Sequence, residues 1–389
     1  MLRKACSGQG CVTTNIIMRS FPRRLYLLDL ARGIASLVIV VYHYRHFFSD
    51  QPGHFVGDVS SLPFFRVLWP VYENGVFAVQ VFFTLSGFVF FFNYYDHIAS
   101  GRVSAYKFFV LRFSRLYPLH FATLLYVAFL QFLFKAQIGH FFVFPANDAR
   151  HFILNLLFIQ QWGWKWDWSF NAPTWSVSIE VLLYALFFVI ALKLKSSMKV
   201  TLALMLAGFA MSYIPARSPD FRDIGVGIYC FFGGGAAYLI YERLPGKRAI
   251  WFAVAAFTTS VAALVTLHDI HAPFGFFRSV LFGLCFPSII LFLAALQDRR
   301  HERGRKIRFV GDITYSTYLL HFPIQITAVL LISVFGIAVN FQNPLVFFGY
   351  LALVVALSIP TYYRFERPVQ NYLRGKMSRA PRVLEPAAS

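Results

Sequence analysis

Arg32 and His43 lie eleven residues apart within the first long apolar run of the chain. Eleven steps return an α-helix to within about 20° of its starting face, so both side chains line one stripe. Ionisable side chains inside a bilayer usually face a bundle interior or a water-filled path. A low-dielectric site favours the neutral form of His43, which can accept a proton, and Asp29 could pair with Arg32 on the same face. The plainer alternatives are an arginine that reaches the inner surface and a packed histidine.

Glu180 lies about five residues inside another apolar run, which opens with Trp175 and Ser176. Packing alone does not explain a carboxylate at this depth, so we expect it to have a function. If this run crosses the membrane inward while the first crosses outward, Glu180 and His43 both lie toward the outer half. They could then meet as a general base and the carboxylate that orients it, the pair expected for activating a hydroxyl.

Two weaker patterns accompany these residues. Ser86 and Gly87 lie within an apolar run. They are either a small-residue helix contact, or Gly87 lets a ligand or backbone approach while Ser86 supplies a hydroxyl. Arg112 and Arg115 are three residues apart on one helix face, either as anchors at the inner membrane surface or as a clamp for phosphate oxygens. Neither pattern distinguishes its two interpretations by position alone.

A later apolar run opens with Tyr315, and His321 follows within it. Tyr318 and His321 are three residues apart and share a face. On this evidence alone, His321 is an ordinary packed histidine.

The elements that must position these residues are transmembrane helices. The 389 residues are 58% hydrophobic with a mean hydropathy of +0.58, which is too apolar for an ordinary soluble domain. We predict an all-α, polytopic membrane protein. Apolar runs of about 17 to 25 residues predict ten spans, which lie near 26–48, 74–94, 115–135, 175–193, 199–214, 222–241, 248–267, 274–296, 312–335 and 344–364.

The basic charge of the chain is mainly a topology signal. Net charge is +19, and 27 of the 36 Lys and Arg residues fall in segments on one side of the ten predicted spans. This asymmetry places both termini in the cytoplasm and argues against nucleic acid as a partner. The four cysteines have neither an external pair for a disulfide nor the spacing of a zinc site, so we expect no metal.

The chain divides into a flexible N-terminal tail at 1–22, one membrane domain at 23–368 and a short cytoplasmic tail at 369–389. The longest external loop, near 136–174, carries Trp162, Trp164, Trp166 and Trp168. Tryptophan favours the membrane interface, so we expect a helix lying on the outer surface. The alternative is a platform on which sugar rings stack.

Taken together and in order, these segments resemble the acyltransferase 3 family, bacterial membrane enzymes that modify surface polysaccharides, lipopolysaccharide, nodulation factors and some antibiotics. The resemblance runs from Leu28 to Pro368. The motifs that carry it are Arg32 with His43, Ser86-Gly87-Phe88, Arg112 with Arg115, Trp175-Ser176 with Glu180, Tyr315 with His321, and Glu366 to Pro368. Each motif is weak by itself, and their order is specific.

The resemblance implies an O-acyltransferase of the bacterial inner membrane. Its donor would be cytoplasmic acyl-CoA, commonly acetyl-CoA, used as a co-substrate with no bound cofactor. Its acceptor would be an extracytoplasmic or lipid-linked carbohydrate, and polysaccharide-assembly proteins are possible partners beside the lipid bilayer. The residues assigned to catalysis are His43, Glu180, Arg32 and Ser86, and those assigned to substrate binding are Arg112, Arg115, Asp29, Trp175, Ser176, Tyr315 and His321.

A different class of function uses the same polar stripe as a transport path. A flippase for a glycolipid or polysaccharide would explain ten spans and buried charges, with Arg32 as a gate. It would not explain the order of the acyltransferase motifs. A membrane sensor has less support, because no soluble output domain is visible.

Overall fold

A computed structural model describes residues 24–163, 167–194, 197–213, 219–244, 246–298 and 307–378. The described chain is almost entirely helical, as predicted. Its α-helices are α1 (Tyr26–Tyr42), α2 (Phe65–Asn74), α3 (Phe77–Ala99), α4 (Ala105–Ile138), α5 (Ala149–Leu156), α6 (Trp175–Lys193), α7 (Met198–Tyr213), α8 (Pro219–Arg243), α9 (Gly246–Asp269), α10 (Phe274–Val280), α11 (Phe286–Asp298), α12 (Arg308–Asp312), α13 (Thr314–Phe335), α14 (Pro344–Pro360) and α15 (Arg367–Ser378).

Nine helical stretches within the described residues are long and apolar enough to cross a membrane. They correspond to nine of the ten predicted spans. The remaining prediction, 199–214, is α7, an apolar helix of 16 residues, about 24 Å long at 1.5 Å per residue. We call the end of the bundle where α1 begins the inner end, and the end where α1 finishes the outer end.

The helix α4 is 34 residues long and extends beyond the predicted span 115–135 on both sides. Its first turn is capped by Ser104, whose hydroxyl accepts a hydrogen bond from the Lys107 N–H at 3.2 Å. Its last turn ends at Gly139 with φ of 96°, a left-handed conformation that glycine adopts without strain. The extension at the inner end is what carries Arg112 and Arg115 as part of a regular helix.

The contact between α3 and α8 is the closest helix approach around the candidate site. A Cβ atom at Gly87 would lie 1.8 Å from the Phe231 carbonyl oxygen, and one at Gly234 would lie 1.9 Å from the Thr84 carbonyl oxygen. Small residues let membrane helices approach backbone to backbone in this way. Gly87 is therefore a small-residue helix contact that admits the backbone of α8, while Ser86 beside it lines the candidate site.

At the outer end, α1 tightens into a 3₁₀ helix, His43–Phe48, which leads to a two-stranded hairpin of β1 (Ser49–Gln51) and β2 (His54–Phe55). A second 3₁₀ turn, Ala172–Thr174, precedes α6. Two π-helical segments interrupt later helices: Leu281–Cys285 connects α10 to α11, and Thr361–Glu366, near the inner end, connects α14 to α15. The sequence predicts Arg32 and His43 on one stripe of a single regular helix, but α1 ends at Tyr42 and the 3₁₀ helix begins at His43.

The segment before α6 forms α5 and is hydrogen-bonded to the bundle. Asp148 caps α5 by accepting a bond from the His151 N–H at 2.9 Å, which lowers the pKa of the Asp148 carboxyl. Beyond α5, the Phe158 carbonyl accepts a bond from Ser178 Oγ at 2.8 Å. The sequence predicts a helix on the outer surface in this loop, and the structure has one: α5 buries His151 and Asn155 and exposes Ile153 and Leu157.

The tryptophans of this loop have different surroundings. The indole N–H of Trp162 donates to the Ser178 carbonyl at 3.0 Å, whereas Trp168 is 53% exposed and lies edge-on to Phe144. Trp164 and Trp166 lie outside the described residues, as do residues 1–23 and 379–389 of the predicted tails. Within the predicted C-terminal tail, α15 packs along α4, where Arg374 Nε donates to Ser114 Oγ at 3.2 Å.

Candidate active site

A cavity of about 180 Å³ lies between α1, α3, α4, α6 and the start of α13. It brings together seven of the eleven predicted site residues, which come from five separate segments of the chain. Its polar and aromatic lining includes Arg32, Ser86, Arg112, Arg115, Ser176, Glu180, Tyr184, Tyr315 and Tyr318. The four predicted residues that do not line it are His43, Asp29, Trp175 and His321. We call this space the central cavity.

Glu180 is the only carboxylate among the residues that line the central cavity. Its Oε1 atom accepts two hydrogen bonds, from Ser86 Oγ at 2.7 Å and from the Tyr184 hydroxyl at 2.5 Å. A carboxylate that accepts two hydroxyl donors is held in one orientation. Glu180 is therefore placed to take a proton from Ser86 or to orient a hydroxyl that replaces it. Tyr184, one turn beyond Glu180, is a site residue that the sequence interpretation did not include.

The two arginines of α4 differ in their partners. Arg112 Nη2 donates to the Tyr94 hydroxyl at 2.5 Å, and its guanidinium lies 5.0 Å from the centre of the Phe90 ring. Its Nε atom is buried without a hydrogen-bond partner, and no carboxylate among the described residues pairs with it. Arg112 thus places at the central cavity a positive charge without a carboxylate partner and an Nε–H group without an acceptor. An anion-binding site needs both features.

Arg115 instead forms an ion pair with Glu366, which also accepts a bond from Ser316 Oγ at 2.6 Å. The Glu366 side chain is only 2% exposed. The expected two-arginine clamp is therefore reduced to Arg112, because the charge of Arg115 is already compensated. Glu366 belongs to the last of the sequence motifs. That motif did not indicate that Glu366 pairs with Arg115.

Arg32 lies at the inner side of the central cavity and pairs with Asp29 at 3.1 Å, which confirms the predicted pair. Arg24 joins Asp29 to Asp312, with both distances at 2.6 Å. Asp29 and Arg32 also line a smaller neighbouring cavity of about 160 Å³. Asp29 therefore positions Arg32 within a network that ties the start of α1 to α12.

His43 lies at the outer end, where it contacts α13 rather than α6. Its Nδ1 atom is 3.1 Å from His321 Nε2, and the two rings are stacked with centres 5.0 Å apart. Gln325, one turn after His321, donates to the His43 carbonyl at 2.8 Å and lies 3.2 Å from His46 Nδ1. Among the described residues no hydrogen bond joins His43 to Glu180, so the expected pair of these two residues is wrong. The 3₁₀ geometry that begins at His43 directs this side chain toward α13.

Tyr318 separates the histidine pair from the central cavity. It lines the cavity, and its ring centre is 6.0 Å from that of His321. Its hydroxyl lies 2.7 Å from Ser176 Oγ and donates to the Pro173 carbonyl at 2.5 Å. Tyr315 similarly donates to the Leu116 carbonyl at 2.7 Å. These bonds fix α13 against α4 and α6, and the site has an inner half around Glu180 and an outer half around His43.

Within the described residues no group of His, Cys, Asp or Glu side chains is arranged to hold a metal ion. Trp175 is partly buried and packs against the hydrophobic core beside the central cavity. It therefore supports the start of α6 and is not in the lining.

The sequence matches the family model Acyl_transf_3, described as an acyltransferase domain, over residues 25–363. Protein 2 in the picA locus of Rhizobium radiobacter is 34% identical over 110 residues, which are 28% of this chain and 47% of that protein. Acyltransferase MdmB of Streptomyces mycarofaciens is 30% identical over 169 residues, 42% of this chain and 38% of that protein. The chain thus spans less than half the length of each of these relatives. No solved structure matches the chain.

Proposed function

Because the chain belongs to the acyltransferase 3 family, we propose that it is a membrane O-acyltransferase of the bacterial inner membrane. It transfers an acyl group, with acetyl as the first donor to test, from acyl-CoA at the inner end to a carbohydrate hydroxyl at the outer end. The observation that carries this proposal is the order of the polar groups across the bundle. Arg112 and Arg32 lie toward the inner side, Glu180 and Ser86 in the centre, and the His43–His321 pair beyond Tyr318.

The inner half suits the donor. Coenzyme A carries phosphates, and Arg112 offers them an unpaired guanidinium held between aromatic rings. At about 30 Å³ per water, the central cavity of about 180 Å³ holds the volume of roughly six water molecules. This room fits the thioester end of the donor and leaves the nucleotide outside the inner end.

The outer half suits activation of the acceptor. The acceptor oxygen attacks the thioester carbonyl while its proton passes to His43, and the carbon–sulfur bond then breaks. The leaving thiolate takes that proton from His43, so charge and hydrogen balance. This step requires the hydrogen on His43 Nδ1, donated to His321 Nε2 at 3.1 Å, so that His43 Nε2 is the free base. The acyl carbonyl must therefore lie at the Tyr318 side of the central cavity.

Ser86 offers a second route for the acyl group. Its hydroxyl donates to Glu180, which could take the proton as Ser86 Oγ attacks the thioester carbonyl. The carbon–sulfur bond then breaks and the leaving thiolate takes that proton from Glu180. In the second step the acceptor hydroxyl attacks the acyl-serine, and its proton returns to Ser86 Oγ as that oxygen leaves. Acyl label retained on the protein after rapid denaturation would identify this two-step route. Complete absence of retained label under single turnover would favour direct transfer.

The test uses protein reconstituted in vesicles with radiolabelled acetyl-CoA and a cell-envelope glycan extract, following both free CoA and label on the glycan. His43→Gln is expected to lower label transfer by about 10²- to 10⁴-fold, the usual contribution of a general base. His268→Gln, at an exposed position on α9, is the matched control and should retain the wild-type rate. Wild-type transfer by His43→Gln would reject the assignment of the base. A folded wild type that moves glycan across the bilayer without releasing CoA would reject the enzyme in favour of a transporter.

A further inference from the structure

Arg45 is a half-buried cation at the outer end with no ionic partner. Its guanidinium lies 4.8 Å from the centre of the Tyr42 ring and 5.2 Å from that of Phe55. No hydrogen bond or ion pair between described residues involves its side chain, and its Nε atom is buried without a partner. Its two aromatic contacts hold the guanidinium in place, and neither accepts the Nε hydrogen in a hydrogen bond.

Three arginines toward the inner side of the site have a carboxylate partner. Arg24 and Arg32 pair with Asp29, and Arg115 pairs with Glu366. Arg45 and Arg112 are left without a carboxylate among the described residues, one in each half of the site. Arg112 is assigned to the donor, and a guanidinium with the same lack of a carboxylate on the acceptor side is suited to an anion of the acceptor.

The position of Arg45 places it beside the reacting group. It is two residues after His43 in the same 3₁₀ helix, and its charge acts on both His43 and His46. His46 is in turn stacked on Phe55 at 6.1 Å and held by Gln325. The guanidinium is therefore fixed relative to His43 rather than free to turn into solvent.

Aromatic rings continue outward from this position. Phe144 lies edge-on to His46 at 5.7 Å between ring centres, and Trp168 lies edge-on to Phe144 at 5.9 Å. Flat rings with an exposed polar edge suit the apolar faces of sugars, and Trp168 is exposed. A cation beside such rings is the combination that a charged sugar needs.

We propose that Arg45 binds an anionic group, a carboxylate or a phosphate, on the carbohydrate acceptor next to the hydroxyl that His43 deprotonates. This inference rests on the proposed function and narrows its acceptor to acidic carbohydrates. The guanidinium makes charge-assisted hydrogen bonds to the anion and so sets which hydroxyl reaches His43. Arg45 is thereby a specificity-determining residue.

The experiment uses the full chain in vesicles, radiolabelled acetyl-CoA and an envelope glycan extract separated by anion exchange after reaction. Label is expected in the acidic fraction. Carboxyl-reduced and phosphatase-treated portions of the same extract serve as the uncharged acceptor. Arg45→Gln is expected to lower kcat/KM for the acidic fraction by about 10- to 100-fold, the loss of one charge-assisted hydrogen bond, and to leave the uncharged acceptor within about twofold. Arg45→Lys should recover part of the loss.

Arg66→Gln is the matched control, because it removes one positive charge from an exposed position near the same end. It should leave both acceptors unchanged. Label confined to neutral glycans in the wild type would overturn the role of Arg45 while leaving the proposed function intact. An equal loss on both acceptors in Arg45→Gln would also overturn it, since that result indicates a role in stabilising the transition state or the fold. Absence of label on any glycan, with no CoA release, would reject the proposed function itself.

Discussion

The ion pair between Arg115 and Glu366 is expected to be a main contributor to the packing of α4 against the C-terminal segment. The Glu366 side chain is 2% exposed and that of Arg115 is 27% exposed. Removing one partner of a buried pair typically costs about 3–5 kcal/mol, because the other charge stays buried without compensation. The partial exposure of Arg115 lets water reach it, so Glu366→Gln should cost about 3 kcal/mol, at the lower end of that range.

The assay is a double-mutant cycle on purified protein, unfolded reversibly in mixed detergent micelles. Arg115→Met, Glu366→Met and the double variant are compared with the wild type. The double variant should be less destabilised than the sum of the single variants by at least about 2 kcal/mol, since it leaves no unpaired charge. The solvent-exposed Asp50–His54 pair is the control and should show no measurable coupling. Additive effects of the two methionine substitutions would refute the reasoning.

Three further changes test the packing and the site. Gly87→Ala should destabilise the protein by about 3 kcal/mol, the upper part of the range for overpacking, because its Cβ would meet the Phe231 carbonyl. The control is Gly349→Ala, which has open space around the new Cβ and should not lower the unfolding temperature. Equal unfolding temperatures of the two variants would contradict the close helix contact. Tyr184→Phe removes the hydroxyl that donates to the Glu180 carboxylate, and it should lower the rate of CoA release about tenfold without loss of fold. An unchanged rate would contradict a role for the Tyr184–Glu180 hydrogen bond. Asp148→Ala removes the cap of α5 and should destabilise that helix by about 1 kcal/mol. The measurement is amide hydrogen exchange over 149–156, which should become faster. Unchanged exchange would show that the cap is dispensable.

Hydropathy and capping residues predict most of the helical architecture because both act locally. The apolar runs mark nine helices that the structure shows to be long enough to cross a membrane. Ser104 and Gly139 are ordinary helix-end signals at the two ends of α4, but the apolar run by itself predicted only 115–135. The change to a 3₁₀ helix at His43 was not readable, because a bond from Gln325, distant in the sequence, helps to hold it.

The membership of the site was more predictable than its pairings. Ionisable residues in apolar runs are rare, so their positions alone indicated Arg32 and Glu180, whereas Ser86 was indicated by the family resemblance. Which of them touch depends on how each helix is rotated about its axis, and hydropathy does not report that rotation. This is why Glu180 bonds to Ser86 rather than to His43, and why the partner of Arg115 lies far along the chain.

Sidedness is the most direct test of the proposed transfer across the bundle. Vesicles that contain the protein in one orientation are given acetyl-CoA on one side and the glycan acceptor on the other, and label on the glycan is measured. Transfer is expected when the donor is supplied at the inner end, where Arg24 and Arg112 lie, and the acceptor at the outer end near His43. Equal transfer with donor and acceptor both confined to the outer side would contradict it.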